Sequence, residues 1–304
     1  MDPIAWLLEG DPAIRWQVMR DLTDASEPAV RRMRARVTRE GWGARLLDLQ
    51  HDDGGWGEGV YSPKWTSTTY TLLLLRHLGI PPEAPRVRRA VDLVRRHQFM
   101  GKADQPLFRY RGETCITGMV LALASYFDPD SDAADDVARF LRSEQLGDGG
   151  WNCEASRKGS TRSSFNTTVS AIEGLLEYER ARKAARTATA ARRRGEKYLI
   201  SRHMLRSLST GEVVNPRWKA FSFPPRWYYD VLRGLDHLAA ARAKCDDRLE
   251  EALDLVESKR RPDGTWPVQN HHAGLEHFAM EPTGKPSRWN TLRAMRVLRW
   301  AGRA

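Results

Sequence analysis

The segment QLGDGGW, Gln145–Trp151, recurs as QHDDGGW at Gln50–Trp56 and as RRPDGTW at Arg260–Trp266, where Arg260 stands in place of glutamine. The shared form is Gln-x3-Gly-x-Trp, and its recurrence at long range points to an array of similar supersecondary units. Upstream of each copy, apolar residues at three- and four-residue spacing predict an amphipathic helix over Ala44–Gln50, Ala133–Gln145 and Asp247–Lys259. Downstream, a polar loop leads to a more apolar helix over Thr66–Leu78, Asn166–Tyr178 and Asn290–Trp300. Two further apolar helices, Cys115–Tyr126 and Trp227–Ala239, lack the tryptophan motif and pair with Val87–His97 and Thr187–His203. That makes five helical hairpins, with one more helical pair in the N-terminal region, where Asp11 and Pro12 start a helix.

The motif has a physical logic. Asp-Gly-Gly ends an outer helix in a turn that needs positive φ, tryptophan fills the gap between neighbouring hairpins, and glutamine bonds the neighbouring turn's backbone. Hairpins packed side by side bury their apolar stripes either in an open solenoid or in a ring, which also covers both ends of the array. From Ala44 to Gly302 the chain resembles the terpenoid cyclase and protein prenyltransferase superfamily, because its tryptophan repeats at long, uneven spacing look like the QW motifs of squalene cyclases. The resemblance implies an all-α fold, an α/α toroid, with residues 44–304 as the toroid domain and residues 1–43 as a helical extension packed on the ring. Squalene cyclases join two such domains, whereas this chain has length for one, as in a prenyltransferase β subunit. The resemblance further implies inner helices around a mostly apolar central cavity that takes an isoprenoid or similar apolar substrate.

Composition bounds the reading. The 304 residues carry 49 basic and 39 acidic side chains, a formal charge of +10. No helix-turn-helix, zinc-finger or RNA-stacking signature accompanies that charge, so no nucleic-acid partner is expected. Two basic runs, Arg31–Arg39 and the segment 180–206, read as solvated helical faces; the second is also the place where an acidic membrane surface or a lipid diphosphate would meet the protein. No apolar run is long enough to span a membrane and the N-terminus lacks a secretory signal, which makes the cytoplasm the expected location. Cys115, Cys153 and Cys245 are too few for a disulfide framework. Oligomeric state is left open.

Chemistry begins with absences. Cyclases that start by protonation carry Asp-x-Asp-Asp, and no such string occurs; the acidic run DPDSDAADD at Asp128–Asp136 reads as a loop and helix cap. The prenyltransferase zinc site is also missing, because the turn at Asp148 offers no paired cysteine and the inner helices begin with Asn166 or Asn290 instead of histidine. A different constellation follows from toroid topology, which gathers every inner-helix N-terminus at one end. That end would carry Glu113, Cys115, Cys153 and Asp230, and with them His271, His272 and His277. Cys115, Cys153, His272 and His277 form a candidate zinc shell; cysteine as a small buried hydrophobe and histidine as an ordinary loop residue are the alternatives. Without a metal, the candidate catalytic groups are Asp230, Glu113 and Tyr229, with Asp230 a general acid among aromatic rings or, equally, a helix-terminus charge. Trp65, Phe165, Trp227, Tyr228 and Trp289 are candidate substrate-binding residues or ordinary core. Two functions therefore stay open: a cyclase-like or metal-assisted enzyme, and a noncatalytic toroid that binds an apolar ligand or a protein.

Overall fold

A computed structural model describes residues 2–96, 106–182 and 185–303. Among the described residues the fold is all-α, with one two-residue antiparallel pairing of Trp266–Pro267 (β1) with Pro286–Ser287 (β2). The helices are α1 (Pro3–Leu8), α2 (Pro12–Asp21), α3 (Glu27–Ala35), α4 (Gly41–Asp48), α5 (Thr68–Leu78), α6 (Pro85–Arg96) and α7 (Thr114–Phe127). There follow α8 (Ala133–Ser143), the short α9 (Ala155–Lys158), α10 (Phe165–Ala181), α11 (Arg186–Ile200), α12 (Val231–Ala240), α13 (Glu250–Ser258) and α14 (Arg288–Trp300).

Patterning separates two layers. In α7, twelve of fourteen residues are buried, so the helix is covered all round, whereas α8 buries only Ala133, Ala134, Val137, Ala138 and Leu141, a single stripe. The enclosed helices α5, α7, α10, α12 and α14 touch in succession, and α14 then touches α2. The Trp16 indole donates to the Leu78 carbonyl at 2.9 Å and the Gln17 amide to that of His77 at 3.1 Å, which joins α2 to the end of α5 and returns the succession to its start. The approach of α7 to α10 rests on glycine: a Cβ on Gly174 would lie 2.3 Å from the Gly118 carbonyl oxygen.

The repeat performs the same task three times. Trp56, Trp151 and Trp266 are at most 1% exposed, and each indole donates to a carbonyl ten residues upstream: Leu46, Leu141 and Val256, at 2.7, 2.6 and 2.7 Å. Their backbone amides donate to Thr68, Thr168 and Thr291 in the following inner helix. Gln50 and Gln145 donate both to their own turn and to Arg86 or Ala191, on the outer helix of the next hairpin. Gly54, Gly149 and Gly264 hold φ of 94°, 94° and 86°, as the turn requires.

The structure alters three expectations. Trp227–Asp230 lies outside α12, because the proline pair Pro224–Pro225 precedes it and Asp230 is the N-cap. His97, expected to end α6, lies outside the described residues, as do Lys183 and Ala184 in the basic segment. That segment is not simply a solvated face: Arg192 is 6% exposed and paired with Glu179 and Glu196, Arg194 donates to Gln145, and Arg206 pairs with Glu251. The central space, finally, is not mostly apolar.

Candidate functional site: an arginine-rich cavity and a thiol pair

The inner helices all run the same way, so their C-terminal halves surround one space, a cavity of about 880 Å³. Nine arginines and four carboxylates line it, a formal excess of five positive charges. Some of that charge is neutralised locally. Arg233 grips Glu173 through two bonds of 2.8 and 2.6 Å, Arg76 pairs with Glu177 at 2.7 Å, and Arg20 and Arg296 share Asp21 at 2.6 and 3.1 Å. Arg34 instead donates to the Gly79 carbonyl and the Tyr126 hydroxyl, and Arg299 to the Asp21 carbonyl. Helix C-termini carry roughly −0.5 charge each, about −3 for six, which softens the excess without cancelling it.

The electrostatics carry that imprint. Burial, reinforced by the Arg76 charge, pushes His77 down to about 3. Burial and the charges of Arg76, Arg20 and Arg296 likewise push Arg180 below its ordinary range, against the pull of Glu177. Glu173 is held at about 2: burial would raise it, and the Arg233 guanidinium overrides burial. His237 also lines the cavity; its Nε2 lies 2.9 Å from Glu196, while its buried Nδ1 has no hydrogen-bond partner among the described residues. At the inner end of the space the stacked rings of Phe223 and Trp289, centroids 4.3 Å apart, and Pro225 supply an apolar floor.

The opposite end, where the N-termini of the inner helices converge, is closed by loops. The Trp65 amide donates to the Leu275 carbonyl at 2.7 Å and the Leu275 amide to that of Lys64 at 3.1 Å, the Trp65 indole donates to Ala273, and Gln269 donates to the Phe221 carbonyl. Arg226, His271 and Glu276 form an ion cluster there. The space left is about 10 Å³, no more than one water's room.

The sequence-predicted residues divide between these surroundings. Asp230 is 2% exposed and caps α12: its carboxylate accepts from the amides of Arg233 and Ser222 and from the Ser222 hydroxyl, at 2.8, 3.1 and 2.9 Å. Tyr229 packs edge-on against Phe165 and Trp218 and donates its hydroxyl to the Met204 carbonyl at 2.6 Å. Tyr228 is sandwiched between Trp227 and His272, both at 4.1 Å, and Trp65 meets Tyr70 and Tyr228 edge-on. Of the five candidate substrate-binding aromatics, only Trp289 borders the large cavity.

The four-residue zinc shell is not assembled as expected. His277 faces the Thr71 hydroxyl at 2.9 Å and His272 the Ser222 hydroxyl at 3.1 Å, each held by its own loop. The thiols of Cys115 and Cys153 do come together, and a Glu113 carboxylate oxygen joins them, all three within 4.8 Å of one another. The pair shares a hydrogen bond that lowers Cys153 to about 6 and, together with burial, raises Cys115. Glu113 therefore sits with the thiols, apart from the caps and core contacts that occupy Asp230 and Tyr229.

Sequence reasoning missed the arginines. Arg76, Arg180 and Arg233 occur singly on α5, α10 and α12, and Arg293, Arg296 and Arg299 lie together on α14; basic residues on buried helices were the available signal.

The sequence matches no protein-family model and no curated protein. A solved structure, the crystal structure of a protein from Actinoplanes, is similar at 18% identity over 96% of this chain and 90% of that one, with a TM-score of 0.45, too slight a likeness to carry an argument.

Proposed function

We propose that this chain is a squalene cyclase-like and prenyltransferase-like toroid whose central cavity takes an isoprenoid-type molecule by an anionic head group. The supporting observation is the pairing of an arginine-rich wall with the Phe223–Trp289 floor. A bare hydrocarbon would leave guanidinium groups such as Arg34 and Arg299, which bond uncharged partners, without counter-charge in a confined space, whereas a diphosphate accepts their forked donors. The volume suits a drug-sized ligand. Turnover, if the protein is an enzyme, falls to His237 with its Glu196 partner, since Asp230 is spent as a cap. The noncatalytic alternative is favoured by that same capping role and by the missing protonation string. Among the described residues no helix is long and apolar enough to cross a membrane, and we place the protein in the cytoplasm, in keeping with its free cysteines.

Calorimetric titration with farnesyl diphosphate, farnesol and inorganic diphosphate tests the reading. Farnesyl diphosphate should bind tighter than either half. Farnesol binding as tightly would remove the role of the arginines, and diphosphate binding as tightly would remove the isoprenoid. Product analysis after incubation then separates enzyme from binder.

A further inference from the structure

The Cys115–Cys153 pair lies outside the cavity lining and is not used by the reading above. Cys115 sits in the first turn of α7, while Cys153 lies in the loop just beyond the Trp151 turn, in the next hairpin. Their placement is fixed from two sides. Trp151 is fully buried and anchors its turn through Leu141 and Thr168, and α7 meets α10 at the Gly118–Gly174 contact, which leaves no room for sliding. The Cys153 amide also bonds the Thr167 hydroxyl at 3.4 Å. Glu113 occupies the N-cap position of α7, yet its side chain makes no capping bond. Its carboxylate turns instead toward the thiols, with Arg157 at 3.5 Å as an ionic partner.

We propose that Glu113, Cys115 and Cys153 form a site for one thiophilic divalent cation, zinc by preference. In a tetrahedral zinc site with bonds of about 2.3 Å to sulfur and 2.0–2.2 Å to oxygen, donor atoms lie roughly 3.5–3.8 Å apart. The donors here all fall within 4.8 Å, so rotamer adjustments of less than about 1 Å close the shell. Two thiolates select a borderline-soft ion over magnesium or calcium, and the carboxylate fits zinc equally well. All three residues are only partly buried, which lets an ion enter and leaves the fourth position to water. Binding releases the thiol protons to solvent and changes no oxidation state. Arg157, 57% exposed, is free to swing away from Glu113 or to offset the extra negative charge of the filled site.

The test uses the full chain and metal alone. Protein purified without chelator, then stripped and titrated with zinc, should take up one equivalent; cobalt in its place should give a thiolate-to-metal charge-transfer band and the visible bands of a tetrahedral centre. C115S and C153S should each lose that band, E113Q should bind more weakly, and C245S should behave as wild type. Circular dichroism shows whether each variant is folded. In wild-type protein, zinc should shield two thiols from alkylation, which keeps the test alive if a serine variant unfolds. Failure of the folded wild type to bind stoichiometrically, cobalt bands that survive in C115S, or a Cys115–Cys153 disulfide formed in reducing thiol buffer would overturn the proposal.

Discussion

At the N-terminal ends of the inner helices, Trp65, Phe223, His271 and His277 leave about 10 Å³ of free space; at the C-terminal ends, arginines surround about 880 Å³. The two ends begin from opposite backbone chemistry. N-termini present unpaired N–H groups, and here side chains and loops satisfy them: Asp230, Ser164 and Ser287 accept from the first turns of α12, α10 and α14. Acceptor side chains drawn from loops bring those loops in over that end of the inner helices. C-termini present carbonyls, and arginines of neighbouring helices serve them from within, Arg34 at Gly79, Arg299 at Asp21 and Arg180 at Ala240, so no covering loop is needed and the space stays open. The open end is therefore where the proposed ligand would enter, and its charge accords with the polarity of the helices.

The comparison can be broken at its frame or at either end. The largest effect is expected for Trp151→Ala, which removes a fully buried indole and its bond to Leu141; it should cost about 3–5 kcal/mol in urea unfolding. A cost below about 1 kcal/mol would mean that the repeat does not hold the hairpins together. Next comes Arg299→Glu at the cavity, which should weaken farnesyl diphosphate at least tenfold, about 1.4 kcal/mol, while leaving the urea midpoint nearly unchanged. Equal affinity in the variant would place the ligand elsewhere.

Acid separates the two ends. His77 at the cavity is lowered to about 3 by burial and then by Arg76, and His272 in the plug is lowered to about 4 by burial and then by Arg226. Both stay neutral in the folded state while the unfolded chain takes up protons below its ordinary value of 6.5. Stability should therefore fall as pH drops from about 6.5 toward 3 to 4, as measured by urea midpoints across that range. A saturating anionic ligand should blunt the His77 share of this loss, because an anion favours the imidazolium, and should leave the His272 share untouched. A midpoint that is flat below pH 6.5 would contradict the buried neutral imidazoles. The smallest effect is Asp230→Asn, since asparagine caps nearly as well as aspartate: stability should drop by about 1 kcal/mol or less and any activity should survive. Abolished turnover in a folded Asp230→Asn protein would restore Asp230 as the acid.

Much of this was legible in the chain. The three tryptophan repeats specified the outer-to-inner turns, because a Gly at positive φ and an indole with one donor leave few other arrangements. Helix limits were read to within two or three residues for α5, α7, α10 and α14, where the apolar run is continuous. They failed at Trp227–Asp230, where an apolar aromatic run precedes the cap and periodicity cannot tell plug from helix. The meeting of Cys115 with Cys153 followed from hairpin polarity, since both thiols flank the N-termini of adjacent inner helices. The same polarity put the histidines at that end too, but it could not say that His272 and His277 would be held by loop hydroxyls.

By itself the sequence determined the all-α hairpins, the tryptophan wedges and the end at which the thiols lie, because these depend on spacing along one chain and on local turn chemistry. Only the tertiary structure decided that the central space is cationic, that one end is sealed, and that Asp230 caps a helix. Those properties arise where residues from six helices converge, and any one of these arginines reveals its meaning only once the other eight stand around the same cavity.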